Sequence, residues 1–138
     1  MMQIIIFTLN KKYYAFSSES VEEITKKMPW TAIPQSPKWV QGLINLRGNV
    51  ITLINFYELL FPTDVSEELC YNNIIIVKKD EEKLAFMVDN VAWVTEIDPA
   101  DIQELEHQAE DKVSGLIQVK DQIVNIINME TLFYKNEG

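Results

Sequence analysis

The residue types that most often perform chemistry are sparse in this chain of 138 residues and match no known catalytic pattern. The single histidine, His107, lies in the acidic stretch from Glu104 to Asp111, and no nucleophile motif accompanies it. Ser17, Ser18 and Ser20 lie outside a Gly-x-Ser-x-Gly context, so a hydrolase triad lacks both its signature and its base. We interpret His107 as a surface residue and expect no catalytic residues.

Metal and phosphate sites are equally unsupported. The four glycines form no phosphate-binding loop. The run of Asp64, Glu67 and Glu68 lacks the calcium-loop pattern, and the single cysteine, Cys70, supplies neither an internal disulfide nor a zinc cluster. We expect no cofactor and no metal ion. A pair of carboxylates that only the fold brings together would leave no trace in such spacings.

Arg47 has the position most typical of recognition. It lies at a predicted hairpin tip between two apolar segments, Leu43 to Leu46 and Val50 to Ile54. An arginine there can give a carboxylate two parallel hydrogen bonds, or it can simply keep the tip soluble. The segment Val21 to Ile24 has two similar interpretations. It can be an edge that a partner recognises, or a strand end exposed to solvent.

The composition limits the kinds of partner that we expect this protein to bind. A net charge of −9 disfavours nucleic acid and anionic membranes, because both require a basic face. Met1 to Phe7 resembles a first strand rather than a leader peptide, and no apolar stretch approaches the roughly 18 residues that span a bilayer. We expect a soluble cytoplasmic protein without direct membrane insertion.

The sequence contains an internal repeat. Residues 42–60 recur as 115–133, at a spacing of 73 with six identities, and Lys120 takes the place of Arg47. Upstream, Ala15, Val21 and Ile24 recur at a spacing of 70 as Ala85, Val91 and Val94. Two copies of one folded unit favour a binding surface over a catalytic cleft.

Short apolar runs rich in isoleucine, valine and aromatic residues predict a mainly β protein. The predicted strands are Ile4 to Leu9, Tyr13 to Phe16, Leu43 to Leu46, Val50 to Ile54, Ile74 to Val77, Leu84 to Val88, Leu116 to Val119 and Ile123 to Ile127. Because runs such as Ile74 to Val77 are apolar on both faces, we expect closed barrels packed against each other.

Helices should be few and short. Ser36 and Pro37 predict one helical turn up to Val40. Asn55 should cap a helix over Phe56 to Phe61, and Asn128 one over Met129 to Tyr134. Asp98 should begin another short helix that runs to about His107.

Taken together, these residues resemble the CheW-like adaptor family of bacterial chemotaxis. The agreement runs in order along almost the whole chain and is densest from Pro34 to Gly48. It comprises Phe7-x-Leu9, Tyr14-Ala15-Phe16, Val21-x-Glu23-Ile24, Ile33-Pro34-x-x-Pro37, Gly42-Leu43-Ile44-Asn45-Leu46-Arg47-Gly48, Ile74 to Val77, Val88-Asp89-x-Val91, Gly115, and Asn128 to Phe133.

The resemblance implies one domain over residues 1–138, built as two pseudo-repeated, five-stranded SH3-like β-barrels around a shared hydrophobic core, with strands that can interleave. It also implies a non-catalytic adaptor that couples the cytoplasmic tip of methyl-accepting chemoreceptors to the regulatory domain of the histidine kinase CheA, in membrane-associated arrays. Two alternatives are an adaptor of another chemosensory pathway, such as surface motility, and a small ligand-binding barrel.

Partner-binding residues carry over by position. Arg47 matches the family's signature arginine, which is implicated in receptor and kinase coupling, and Gly42 matches the entry to its hairpin. Val21 and Glu23 match the Val-x-Glu-Ile segment near the receptor-facing groove.

Two further valines, Val88 and Val91, match the Val-Asp-x-Val segment near the same groove. Whether Val21, Val88 and Val91 face core or groove stays open, since a shift of one residue reverses the face. The chain departs from the family at Ser17-Ser18 and at Asn55-Phe56-Tyr57, which bears on partner identity more than on fold.

Overall fold

The computed structural model describes residues 1–61, 71–105 and 112–135. Asp64, Glu67, Glu68, Cys70 and His107 lie outside these residues. Within them the chain is mainly β, as predicted, with two short α-helices. The strands are β1 Met2–Leu9, β2 Lys12–Ser17, β3 Val21–Lys26, β4 Val40–Leu46, β5 Asn49–Asn55, β6 Asn73–Lys79, β7 Glu82–Val88, β8 Asn90–Ile97, β9 Gln103–Glu104, β10 Val113–Val119 and β11 Gln122–Ile127.

The eight predicted strands are confirmed, because each lies inside an observed one. Three strands are absent from the prediction: β3, β8 and β9. In β3 and β8 half-buried residues alternate with exposed ones, and several of the exposed residues are apolar, such as Ile24 and Val94. The polar and apolar residues therefore do not alternate as they do in a strand with one buried face.

The chain forms two compact units, each with its own sheet. Unit 1 comprises the described residues of Met1–Ser20 and Val91–Gly138, and its sheet has the order β8-β1-β2-β11-β10-β9. Unit 2 is Val21–Asn90, and its sheet has the order β3-β6-β7-β5-β4. The repeated hairpins therefore occupy corresponding places, with β4 and β5 in unit 2 and β10 and β11 in unit 1.

The hairpins turn within two residues, and one of the turns lies at the predicted hairpin tip of Arg47. Arg47 and Gly48 have φ of 51° and 87°, and Lys120 and Asp121 have φ of 49° and 65°. Two consecutive residues in the left-handed region match the twist of the flanking strands, which favours this type of tight hairpin. The turns thus hold Arg47 and Lys120 at equivalent hairpin tips.

Each unit has an apolar core built from alternate residues of its strands. In unit 1 the core contains Ile4, Ile6, Ala15, Ile97, Ile117, Val124 and Ile126. In unit 2 it contains Ile44, Ile51, Leu53, Ile74, Ile76, Ala85 and Met87. Members of the two lists correspond at the repeat spacings, for example Ile4 with Ile74 and Ile117 with Ile44, so the repeat conserves the side chains that hold each sheet together.

The edge of β4 is covered by the segment that contains Thr31. Thr31 and Leu43 exchange two backbone hydrogen bonds of 2.9 Å. Gly42 allows this approach, since a Cβ atom there would lie 2.4 Å from the carbonyl oxygen of Thr31. In unit 1, Gly115 plays the same part beneath β9, where a Cβ would lie 2.7 Å from Ile102 Cγ2 and 2.9 Å from the oxygen of Gln103.

The helices agree with the prediction at two places. Helix α1, Phe56–Leu60, begins where the Asn55 side chain accepts a hydrogen bond from Glu58 N at 3.2 Å. Helix α2, Met129–Lys135, follows Asn128, whose side chain accepts from Thr131 N at 3.5 Å. The side-chain oxygen of each asparagine takes an otherwise unpaired N–H of the first turn, which is why the helix starts there.

Two predicted helices are wrong. Asp98 caps only a single 3₁₀ turn, Pro99–Asp101, because the chain then extends into β9 beside β10. The segment from Ser36 to Val40 forms turns instead of a helix. Ser36 does not act as an N-cap, since its hydroxyl donates backwards to Ile33 O at 2.9 Å.

The close approach at Gly42 leads to a stability prediction. Gly42→Ala should lower the free energy of unfolding by about 1–3 kcal/mol, as overpacking typically does, because the new methyl group meets backbone that cannot turn away. Gly115→Ala is the matched variant and should cost less, since its nearest backbone atom, the oxygen of Gln103, would lie 2.9 Å away rather than 2.4 Å. Urea unfolding of both variants measures this difference. A Gly42→Ala protein as stable as the wild type, or more stable than Gly115→Ala, would contradict the packing argument.

Candidate partner-binding site

The structure brings together two residues predicted to bind partners, Arg47 and Glu23. Arg47 Nη1 donates to Glu23 Oε2 at 3.1 Å, and Nη2 donates to Glu23 Oε1. The two parallel bonds match the planar guanidinium group to the planar carboxylate, which fixes the orientation of both side chains.

This ion pair links opposite edges of one sheet. Glu23 lies on β3, which is one edge of the unit 2 sheet, and Arg47 follows β4, which is the other. Strands β6, β7 and β5 separate them in the hydrogen-bonded order. The sheet must therefore curve strongly enough for a hairpin tip at one edge to reach the strand at the other.

The pair is open to solvent, which suits a binding site. The Arg47 side chain is 68% exposed and that of Glu23 is 29% exposed. The hydrogen bond from Arg47 lowers the pKa of Glu23 below its ordinary value, and the bond to Glu23 raises the pKa of Arg47. Both groups therefore stay charged well below neutral pH.

Exposed apolar side chains lie on the strands that carry the ion pair. Ile24 follows Glu23 on β3 and is 38% exposed, and Val50 on β5 is 65% exposed. A second ion pair joins Glu22 to Lys83 at 2.9 Å. Arginine is enriched at protein-binding surfaces, where it often anchors the contact.

Unit 1 repeats this arrangement with different chemistry. Lys120 occupies the equivalent hairpin tip, and its Nζ lies 5.3 Å from the ring centre of Trp93 on β8. Trp93 is the counterpart of Glu23 at the spacing of 70. A cation–π contact between Lys120 and an indole thus takes the place of the ion pair between Arg47 and a carboxylate.

The other predicted site residues occupy several environments. Val21 is half-buried at the start of β3, and Val91 is half-buried on β8 in unit 1. Val88 is completely buried, and it lies beside Asn73 at the end of the sheet that does not carry Val21. Gly42 is buried against Thr31.

Sequence reasoning identified Arg47 and Glu23 separately but missed their contact, and it missed Lys83 with Glu22 and Lys120 with Trp93. The spacings contained a usable signal. Offsets of 73 and 70 relate Arg47 to Lys120 and Glu23 to Trp93, so the two partners of one contact both have counterparts in the other.

The described residues offer neither a cluster of metal ligands nor a membrane-spanning helix. Over residues 1–61, 71–105 and 112–135, no group of three or more histidine, cysteine, aspartate or glutamate side chains is placed to hold a metal ion. In the same part of the chain, no helix has the length and apolar character needed to cross a membrane.

The fold defines a small, mainly β protein, built twice from one sheet design, with an exposed ion pair at the hairpin tip of one copy. The chain belongs to the CheW-like domain family, whose model matches residues 3–137. Membership of this family makes it a coupling adaptor of chemotaxis signalling.

Similar proteins agree along nearly the whole length. The chemotaxis protein CheW of Helicobacter pylori is 26% identical over 138 residues, which cover 98% of this chain and 83% of the relative. CheW of Thermotoga maritima is 23% identical, with 94% and 86% covered. The crystal structure of the scaffolding protein TtCheW from Thermoanaerobacter tengcongensis matches with a TM-score of 0.80 and 28% identity, over 93% of this chain and 84% of that one.

The ion pair leads to a prediction about the titration of Glu23. Arg47→Asn should raise the pKa of Glu23 towards its ordinary value, since asparagine tolerates the left-handed turn but cannot donate two bonds from the same position. Because the pair lowers the pKa of Glu23 in the folded protein, its stabilising effect is present above the unfolded pKa and is lost as pH falls through the folded pKa.

Carboxyl-detected NMR titration of Glu23 measures this shift. Lys83→Ala is the matched control, because Lys83 lowers the pKa of Glu23 only through a weaker charge interaction. The Glu23 pKa should rise less in this control than in Arg47→Asn. An unchanged pKa in Arg47→Asn would show that the ion pair does not persist in solution.

Proposed function

We propose that this protein couples the cytoplasmic tip of methyl-accepting chemoreceptors to the regulatory domain of the histidine kinase CheA, and that the Glu23–Arg47 pair is a central contact in this coupling. The observation that carries the site proposal is the exposed, doubly hydrogen-bonded pair of Arg47 and Glu23. Membership of the CheW-like family supports the choice of partners.

The geometry suits an anchor that is oriented before the partner arrives. Arg47 has more N–H donors than the carboxylate of Glu23 can accept, so it can bind a partner's carboxylate or carbonyl group while Glu23 holds it in place. Ordering a long side chain costs conformational entropy on binding, and the ion pair has already imposed much of that order.

The other predicted site residues would contribute to the proposed site in different ways. Val21 is half-buried on the same edge strand as Glu23 and can contact a partner directly. Val88 is buried, so its part is to support β7 beneath the surface, and Gly42 keeps the edge of β4 closely covered by Thr31. Val91 would belong to a contact made by unit 1.

We further propose that the adaptor is non-catalytic and cytoplasmic, and that protein partners recruit it to membrane-associated arrays. Residues 1–138 would form one domain, in which each unit curls into an SH3-like barrel and the two barrels share a hydrophobic core. The link between β3 and the tip after β4 supports this curling for unit 2. The alternatives, another chemosensory pathway or a ligand-binding barrel, gain no support from the relatives, which are named as chemotaxis proteins.

The coupling proposal leads to a prediction for co-elution. The wild-type protein should elute with a receptor tip fragment and the CheA regulatory domain, whereas Arg47→Glu should remain folded and lose the complex. The reversed charge places a second carboxylate against Glu23 and removes the donors that a partner would use. Size-exclusion chromatography and kinase assays measure the loss, and circular dichroism reports folding.

Two further variants identify the cause. Lys120→Glu makes the same type of reversal at the equivalent tip of unit 1 and should retain more binding than Arg47→Glu. The double swap Glu23→Arg with Arg47→Glu restores opposite charges but not the position of the guanidinium group, so it should not recover coupling if Arg47 contacts the partner. Failure of the wild type to join any complex would overturn the coupling proposal, whereas normal coupling by Arg47→Glu would overturn only the site.

A further inference from the structure

Unit 1 contains an open groove at the end of its sheet where helix α2 begins. Its volume of about 440 Å³ falls within the ~300–1,000 Å³ range of ligand pockets. The lining combines apolar side chains with Ser114 and Asn128 and with two carboxylates. The residues are Met2, Pro99, Ile102, Glu104, Ser114, Ile126, Ile127, Asn128, Met129 and Glu130.

In unit 2 a tyrosine, Tyr71, binds Asn55, which is the counterpart of Asn128. The hydroxyl of Tyr71 donates to Asn55 Oδ1 at 2.7 Å, and the ring packs against the unit 2 core. Asn55 Nδ2 in turn donates to Gln41 at 3.4 Å. Burial raises the pKa of Tyr71 to about 12, so the phenol keeps its proton and remains a donor.

Unit 1 has counterparts of the residues around this tyrosine, but it has a methionine at the position of the tyrosine itself. At the spacing of 73, Asn55 and Gln41 correspond to Asn128 and Ser114, which both line the groove. At the spacing of 70, Tyr71 corresponds to Met1, which is 83% exposed. Asn128 Oδ1 accepts from Thr131 N at 3.5 Å, a weak contact that leaves room for a better donor.

The charge at the groove indicates which type of residue would lie next to a bound tyrosine. Glu104 on β9 is exposed, and Glu130 in the first turn of α2 lines the same groove. A lysine or arginine next to a tyrosine of another protein would complement these carboxylates. A phenol fits the mixed lining because its ring is apolar and its tip is a hydrogen-bond donor.

We propose that this groove binds a tyrosine side chain presented by a partner protein, next to a lysine or arginine, with Asn128 accepting from the phenol hydroxyl. The bound tyrosine would take the place that Tyr71 takes in unit 2. This site lies in unit 1 and does not depend on Arg47, so it extends the proposed function with a second, separate recognition point.

Titration with short peptides tests this proposal. The acetylated, amidated tripeptide Lys-Tyr-Lys should shift the backbone NMR signals of Ser114, Ile126 and Asn128 and reach saturation. Lys-Phe-Lys should bind roughly tenfold more weakly, as expected for the loss of one hydrogen bond. Lys-Ala-Lys should not bind. Equal affinities of the tyrosine and phenylalanine peptides, or shifts without saturation, would overturn the proposal.

Variants of the full chain separate the parts of the site. Met1→Tyr, made in a chain with a short leader before it, should fill the groove from within and abolish peptide binding. Glu104→Gln combined with Glu130→Gln should weaken binding of Lys-Tyr-Lys while leaving binding of p-cresol, the side-chain analogue of tyrosine, unchanged. Full peptide binding by Met1→Tyr would overturn the proposal. Contacts between the Met1 methyl group and Asn128 in the wild type would also overturn it, because Met1 would then already fill the groove.

The test distinguishes this site from the coupling site. Arg47→Glu should bind Lys-Tyr-Lys with wild-type affinity, since the groove lies in the other unit. Loss of peptide binding in that folded variant would overturn the independence of the two sites. If the wild type couples normally but does not bind the peptide, the proposal for the groove is wrong and the coupling proposal stands.

Discussion

The curvature of each sheet is the constraint on which much of this architecture depends, and it lets a cation on a hairpin tip reach a distant strand of the same sheet. In unit 2 this contact is Arg47 bound to Glu23, and in unit 1 it is Lys120 over Trp93. Neither contact is possible across a flat sheet, because three strands separate β3 from β4. The twist and curvature that bring the strands together also produce the enclosed core that alternate residues fill.

The two copies keep this arrangement and change its chemistry. A carboxylate with a guanidinium group is directional and is screened by salt. An amine over an indole is less directional and combines the charge with apolar area. The exposed aliphatic residues stay at matched positions, with Ile24 and Val50 in unit 2 and Val94 and Ile123 in unit 1. Duplication thus provides two related surfaces that can diverge in the partners they select.

Sequence reasoning was strongest where local chemistry decides the structure. Apolar runs located the eight strands that carry the cores, and the asparagine caps located α1 and α2, because caps and strand patterns act within a few residues. It failed at β9, which exists only because Gly115 lets the chain lie beside β10. It also could not pair Glu23 with Arg47, since sheet curvature is a property of several strands and no single segment contains it. The family resemblance predicted a binding role for Arg47, whereas the structure identified Glu23 as the residue that it contacts.

The two units differ in how the chain supplies their strands. All strands of unit 2 come from one continuous stretch, whereas unit 1 joins β1 and β2 to strands from the other end of the chain. The junction is the parallel pairing of Tyr13 with Val124, reinforced by a bond of 2.8 Å from Asn125 Nδ2 to Tyr13 O. Pairings between such distant residues form late. During synthesis on the ribosome, unit 2 can complete its sheet before β11 has emerged. Strands β1 and β2 then still have unpaired edges. The first hairpin to be synthesised is therefore among the last to be fixed in its sheet.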